Sequence, residues 1–146
     1  YICMEEIEIF TDGACRGNPG LGGWGALIRK DGEESSLWGG ERDTTNNRME
    51  MEAAIKGLES IIKSSNITIT TDSNYLKDGI TQWLEGWKKK GWKTASKKPV
   101  KNQDLWMRLD ELSQFHKVNW KWVKGHSGHR ENEIADLLAN KGIDEL

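Results

Sequence analysis

Apolar and polar side chains alternate over 7–11, where Ile7, Ile9 and Phe10 are interleaved with Glu8 and Thr11, and the run stops at Asp12-Gly13. A period of two marks a half-buried strand, and Asp-Gly is a turn signal. Nine of the 16 glycines fall between Gly13 and Gly40. Within that stretch, 23–29 and 35–40 read as two strands of a hairpin turned at Lys30-Asp31-Gly32. A three-stranded antiparallel meander therefore opens the chain. Thr44-Thr45-Asn46-Asn47 then offers capping side chains, and 49–63 carries Met51, Ala54, Ile55, Leu58, Ile61 and Ile62 at helical spacing. The β-branched run 67–71 ends at Asp72-Ser73. The pattern predicts helices over 75–87 and 102–115, a strand over 117–123 and a last helix over 131–141. A meander followed by alternating strands and helices predicts an α/β fold on a mixed sheet.

Length and composition narrow this picture. The 146 residues suit a single domain spanning 1–146, with no repeat or low-complexity linker. At 36% hydrophobic residues the chain can bury the roughly 68 to 70% of unfolded surface expected at this size. A mean hydropathy of −0.73 and 30% charged residues leave no run of ~18 apolar residues, which excludes a transmembrane helix. Residues 1–6 lack the basic and apolar regions of a signal peptide, so the expected location is the cytoplasm, away from membranes. Cys3 and Cys15 are too few for a disulfide scaffold or for four zinc thiolates and read as free thiols.

Charge changes the picture more than composition does. The chain carries a formal −2, yet between Trp83 and Lys101 seven lysines face only Glu85, so that segment holds +6 and the remainder −8. With a Debye length of about 8 Å at physiological salt, a ligand there feels the local cations above all. Trp83, Trp87 and Trp92 are interleaved with those lysines, and Trp106 lies just beyond. Aromatic rings among cations suit a groove for a nucleic acid; a solvated charged face with core tryptophans is the plainer reading.

The carboxylates point to chemistry. Two strands end alike, at Thr11-Asp12-Gly13 and Thr71-Asp72-Ser73. As parallel neighbours they would set both aspartates at the carboxyl edge of the sheet, where open α/β folds place their ligand crevice. Glu50 precedes Ala54, Leu58 and Ile61 on the inward stripe of the first helix. Asp136 stands among Ile134, Ala135, Leu137 and Leu138 in the last. Taken singly, Asp12 and Asp72 read as turn residues and Glu50 as the acid of a capping box. Taken together they repel: at ~4 Å and an effective dielectric near 20, each pair costs about 4 kcal/mol, a large part of a typical stability of about 5 to 15 kcal/mol. Convergence therefore demands a divalent cation, and oxygen-only ligands suit Mg²⁺ or Mn²⁺.

These residues sit in blocks that closely resemble the bacterial type 1 ribonuclease H family. The blocks are Ile9-Phe10-Thr11-Asp12-Gly13-Ala14-Cys15, Gly17-Asn18-Pro19-Gly20, Thr44-Thr45-Asn46-Asn47-Arg48-Met49-Glu50 and Thr71-Asp72-Ser73. They continue through Gly79-Ile80-Thr81-Gln82-Trp83, Trp87-Lys88-Lys89-Lys90-Gly91-Trp92-Lys93-Thr94 and Lys98-Pro99-Val100-Lys101-Asn102. The last are Trp122-Val123-Lys124-Gly125-His126-Ser127-Gly128-His129 and Glu131-Asn132-Glu133 leading to Asp136. The resemblance covers about 7–139. It implies a ribonuclease H-like fold with a five-stranded mixed sheet flanked by helices, and a metal-dependent endonuclease. Such an enzyme hydrolyses the RNA strand of an RNA/DNA hybrid, leaving 3′-hydroxyl and 5′-phosphate ends.

By the same resemblance Asp12, Glu50, Asp72 and Asp136 form the catalytic tetrad for two Mg²⁺ ions, Mn²⁺ being able to substitute. Asp12 would bridge the ions, Asp136 would hold the one beside the attacking water, and Glu50 and Asp72 the one near the leaving oxygen. His126 would assist by proton transfer or by helping product and metal leave; a solvated loop histidine is the bland alternative. Asn18, Asn46, Asn47 and the backbone at Cys15 and Gly17 would meet the hybrid's minor groove, where 2′-hydroxyls mark the RNA strand. Thr45 and Arg48 resemble residues near a DNA phosphate. Trp83 would help select deoxyribose, and the protrusion at about 83–101, with Trp87, Lys88, Lys89, Lys90, Lys93 and the nearby Trp106, would grip the DNA strand. Asn74 would also contact the hybrid, at a position where the family commonly has Gln. The expected partner is an RNA/DNA hybrid, bound by a monomer. Two rivals share some of these features: an integrase or resolvase relative, disfavoured by the protrusion and the Lys124-Gly125-His126 loop, and a non-catalytic hybrid-binding module, disfavoured by the four acids.

Overall fold

A computed structural model of the chain describes residues 6–94, 97–124 and 129–146. Its strands are β1 (Glu6–Arg16), β2 (Gly20–Lys30), β3 (Glu33–Thr44), β4 (Asn66–Thr71) and β5 (Lys117–Trp122). The helices are α1 (Asn46–Glu59), α2 (Asn74–Asp78), α3 (Leu84–Lys89), α4 (Gln103–Phe115) and α5 (Arg130–Asp144), with a π-helical turn, Gly79–Trp83, joining α2 to α3. The strands form one sheet in the order β3-β2-β1-β4-β5. The β1–β2 and β2–β3 pairs are antiparallel, whereas β1–β4 and β4–β5 are parallel. This is the five-stranded mixed sheet that the sequence predicts. Among the described residues, no helix is long and apolar enough to cross a membrane.

Local chemistry explains the meander. Asp31 and Gly32 both take positive φ, 52° and 79°, as a two-residue turn matched to strand twist requires. The flanking strands outrun the predicted lengths. β1 does not stop at Asp12: its ladder with β2 runs on through Asp12↔Gly25 to Arg16↔Leu21, while the parallel ladder with β4 ends at Phe10↔Thr70. Asp12 therefore lies inside a strand, just past the point where β1 parts from β4, and not at a strand end as its Asp-Gly signal implies.

Strand parity separates the two layers. Cβ atoms added at Gly23 and Gly25 would collide with the α5 backbone, whereas Ala26, of opposite parity, faces Gly57 of α1. Helices α1 and α5 thus cover opposite faces. The larger core lies on the α1 side, where Ile7, Ile9, Met51, Leu58, Ile67, Ile69, Leu76, Trp106, Leu109 and Leu112 are buried. Trp106 is fully buried and fills the space under Gly79, where the π-helical turn begins. It is a core residue, so the expected substrate contact at Trp106 is withdrawn.

Helix α1 begins earlier and ends earlier than its hydrophobic spacing predicts. Thr45 caps it, its hydroxyl accepting from the Arg48 N–H at 3.3 Å. At the other end, buried His116 intervenes. Its Nδ1 accepts from the Ser65 N–H at 3.1 Å and its Nε2 lies 3.3 Å from the Leu58 carbonyl. The chain is drawn out of the helix toward β4, and Ile62 is left 88% exposed rather than in the core.

Candidate active site

Three elements converge where β1 and β4 part: β1 brings Asp12, α1 brings Glu50, and the turn after β4 brings Asp72. Carboxylate oxygens of the three lie within 4.8 Å of one another. Gly13 makes this possible, because a Cβ there would sit 2.5 Å from the Glu50 nitrogen and 2.6 Å from the Met49 carbonyl carbon. Only glycine lets the α1 backbone lie so close to the strand. The turn that carries Asp72 is fixed on either side of it: the Ser73 N–H donates to Thr71 Oγ1 at 3.2 Å, and Ser73 Oγ caps α2 by accepting from the Leu76 N–H at 3.2 Å. Glu50 lies five residues beyond the cap Thr45, past the position of a capping-box acid. Asp136 reaches the same crevice from α5. The crevice, of about 380 Å³, is also lined by Asn46, Asn47, Asn74 and Tyr75. The Asp136 carboxylate stands outside the close trio.

Burial makes the cluster electrostatically costly. Asp12 is 8% and Glu50 5% exposed. Burial pushes Asp12 up to about 7; hydrogen bonds from Glu50 and the Gly13 N–H oppose this, and the charges of Asp72 and Asp136 add to it. Glu50 is raised well above the carboxylate range by burial first and then by the charge of Asp12. Their mutual hydrogen bond lowers Asp12 and raises Glu50, and the pair holds on to a proton that separate carboxylates would release. Glu50 Oε2 is nonetheless buried with no hydrogen-bond partner, a state that costs about 1 to 3 kcal/mol or more. An all-oxygen trio with an orphaned buried oxygen fits a hard divalent cation.

Other predicted contacts are distributed around this crevice. Cys15 is half-buried, its thiol donating to the Gly17 carbonyl at 2.6 Å. Exposed Asn18 accepts from the Asn46 N–H at 3.1 Å, tying the β1–β2 turn to the start of α1. Trp83 stacks edge-on to Tyr75 at 5.8 Å and tilts against Trp87 at 5.7 Å; Trp87 in turn packs on Trp106 at 5.5 Å. Lys89, Lys90 and Lys93 are exposed. Lys88 and Arg48 are not free cations: Lys88 pairs with Asp110 at 3.1 Å, and Arg48 pairs bidentately with Asp104. His126 lies outside the described residues.

The sequence reading missed Tyr75, which lines the crevice and takes hydrogen bonds from Asn102 at 3.0 Å and Trp106 at 3.3 Å. Its position three residues after Asp72, at the start of a helix, was the available signal. The close-approach role of Gly13 had no local signal beyond Asp-Gly.

Residues 4–144 match the family model described as RNase H. A ribonuclease H of Halorhodospira halophila is 64% identical over 140 residues, 96% of this chain and 94% of that protein. Among solved structures, LC9-RNase H1, described as a type 1 RNase H with the type 2 active-site motif, superposes with a TM-score of 0.89 at 32% identity, over 99% of this chain and 75% of that one. LC11-RNase H1, solved in complex with an RNA/DNA hybrid, shares the fold with a TM-score of 0.74 at 23% identity, over 95% of this chain and 97% of that one.

Proposed function

Because the chain belongs to the RNase H family, we infer that its acidic crevice is the catalytic centre of a divalent-metal-dependent endonuclease that hydrolyses the RNA strand of an RNA/DNA hybrid. The observation that carries this reading is the buried trio Asp12, Glu50 and Asp72 with its unpartnered Glu50 Oε2. A module that only bound hybrids would gain nothing from so costly an arrangement.

In this reading Asp12, Glu50, Asp72 and Asp136 would hold two Mg²⁺ ions, for which Mn²⁺ could substitute. When bound, the ions supply Lewis acidity to the attacking water and to the leaving oxygen of an in-line displacement. The chain's own residues do the rest. Asp12 and Glu50 give up their shared proton as they become ligands. Asn46 and Asn47 at the rim, with Asn18 behind them, meet the minor groove and its 2′-hydroxyls. Trp83 and the exposed Lys89, Lys90 and Lys93 hold the DNA strand, and His126 moves a proton or speeds product release. The products carry 3′-hydroxyl and 5′-phosphate ends, and the chain works as a single-domain monomer in the cytoplasm. The test is an end-labelled RNA/DNA hybrid beside matched RNA/RNA and DNA/DNA duplexes, with Mg²⁺ or chelator. Cleavage of the hybrid's RNA alone, and only with metal, is expected; metal-independent or duplex-indifferent cleavage overturns the reading.

A further inference from the structure

We propose that two carboxylates of α4, Asp104 and Asp110, are positioning residues for hybrid binding: they hold Arg48 and Lys88 so that α1 and the basic protrusion present a fixed surface. The inference rests on the function proposed above. Helix α4 is a rigid support, since Leu105, Trp106, Leu109 and Leu112 anchor it in the core. From one side, Arg48 Nη1 and Nη2 donate to Asp104 Oδ1 and Oδ2 at 3.1 and 2.8 Å, and Nη1 also reaches Asn102 Oδ1 at 3.1 Å. That bond joins α1 to the Asn102–Tyr75 pair at the crevice wall. From another side, Lys88 Nζ, at the base of the lysine run, lies 3.1 Å from Asp110 Oδ1 and 3.7 Å from Glu85. Asp110 is itself held by Gln114 at 3.0 Å, and its side chain is only 17% exposed.

Charge makes the case. A carboxylate near a surface that binds a polyanion is unfavourable to that ligand, and a cation already neutralised by one adds little attraction for phosphate. Lys89, Lys90 and Lys93, by contrast, are exposed and make no ion pair among the described residues. Attraction is therefore left to these lysines, whereas Lys88 and Arg48 act as struts that fix where the lysines and the Thr45-Asn46-Asn47 turn stand. Their pairs bridge separate elements, α3 to α4 and α1 to α4, as struts must.

The two roles predict opposite signs. If bulk electrostatics governs, Asp110→Asn removes a negative charge, frees Lys88, lowers KM and steepens the salt dependence. If positioning governs, Asp110→Asn raises KM about two- to fivefold, the range of one partly exposed ion pair, leaves kcat within about twofold and does not change the salt slope. Lys88→Met should match it, and the double variant should be no worse than either single, because both break one interaction. Asp104→Asn should raise KM in the same direction. The experiment is salt-titrated steady-state cleavage of a labelled hybrid by wild type and these variants. Wild-type cleavage tests the proposed function by itself, and only the variant-to-wild-type ratios test this inference. An unchanged or lowered KM in Asp110→Asn or Asp104→Asn, additive losses in the double variant, or a slope reduced by about 0.9 in Lys88→Met, the value of one phosphate contact, overturns it.

Discussion

Replacing Asp12 with Asn should abolish cleavage and, in the absence of metal, make the protein more stable. Two overlapping quantities bound the size: the charge repulsion alone, and the whole rise of Asp12, of which burial is the largest cause. At 4.8 Å, the outer separation of the trio's oxygens, two unit charges at an effective dielectric of 20 repel by about 3.5 kcal/mol. The rise of Asp12 from 3.8 to about 7 corresponds, at 1.36 kcal/mol per unit, to about 4 kcal/mol. The sign follows from proton linkage. Below pH ~4 Asp12 is protonated in both folded and unfolded chains and costs nothing. As pH climbs to about 7 the unfolded chain has already released its proton while the folded one must still give it up in a buried, acidic site, so stability is lost over that window. The neutral amide of the Asp12→Asn variant suffers no such loss, and its carbonyl can still accept from the Gly13 N–H. The expected gain is near zero at pH ~4 and about 2 to 4 kcal/mol at pH ~8, allowing for relaxation. Urea denaturation in chelator, followed by far-ultraviolet circular dichroism across this range, measures it. Saturating Mg²⁺ should stabilise wild type, by about 2.7 kcal/mol at a hundred times its Kd, and the variant less. Equal stabilities at pH ~8, or a gap that ignores pH, would refute the electrostatic account of the site.

Four further outcomes are expected. Gly13→Ala should force α1 off β1 and lower kcat by about 10²-fold, the usual cost of misplacing catalytic groups by ~1 Å, with Mg²⁺ affinity falling in parallel by calorimetry; wild-type affinity would break the link between Gly13 and the trio. Lys89→Ala with Lys90→Ala should flatten the slope of log affinity against log salt by up to ~1.8 units while kcat holds, and an unchanged slope would return these lysines to a solvated face. His126→Ala should reduce kcat by about 10² or less and leave metal affinity intact; a loss as complete as that of Asp12→Asn would place His126 among the metal ligands. Finally, apparent Mg²⁺ affinity should rise with pH through about 7 and beyond, because binding displaces protons from Asp12 and from Glu50, whose carboxyl is raised well above the usual range, and a flat profile by calorimetric titration would contradict those raised carboxyls.

Much of this architecture was legible locally, because it depends on short-range chemistry. The alternation at Ile7, Ile9 and Phe10, the Asp31-Gly32 turn and the Thr45 cap each act over a few residues, and each appears where the pattern predicts it. The convergence of Asp12, Asp72 and Glu50 was also readable, since parallel strands and an inward helix stripe leave those carboxylates few other places to go. What local pattern could not decide were quantities set by a distant partner. Asp12 stands inside a strand because β2 continues to pair after β4 has stopped. Helix α1 ends before Ile62, where His116, more than fifty residues away, ties the Leu58 carbonyl to the Ser65 N–H and sets the path of the chain from the helix into β4. Trp106 belongs to the core because the glycine at 79 leaves room for its ring. Lys88 and Arg48 read as free cations until α4 sets Asp110 and Asp104 against them. Periodicity and turn chemistry choose the elements, but backbone pairing, close approach and charge neutralisation are long-range terms whose energies exist only once the chain has closed on itself.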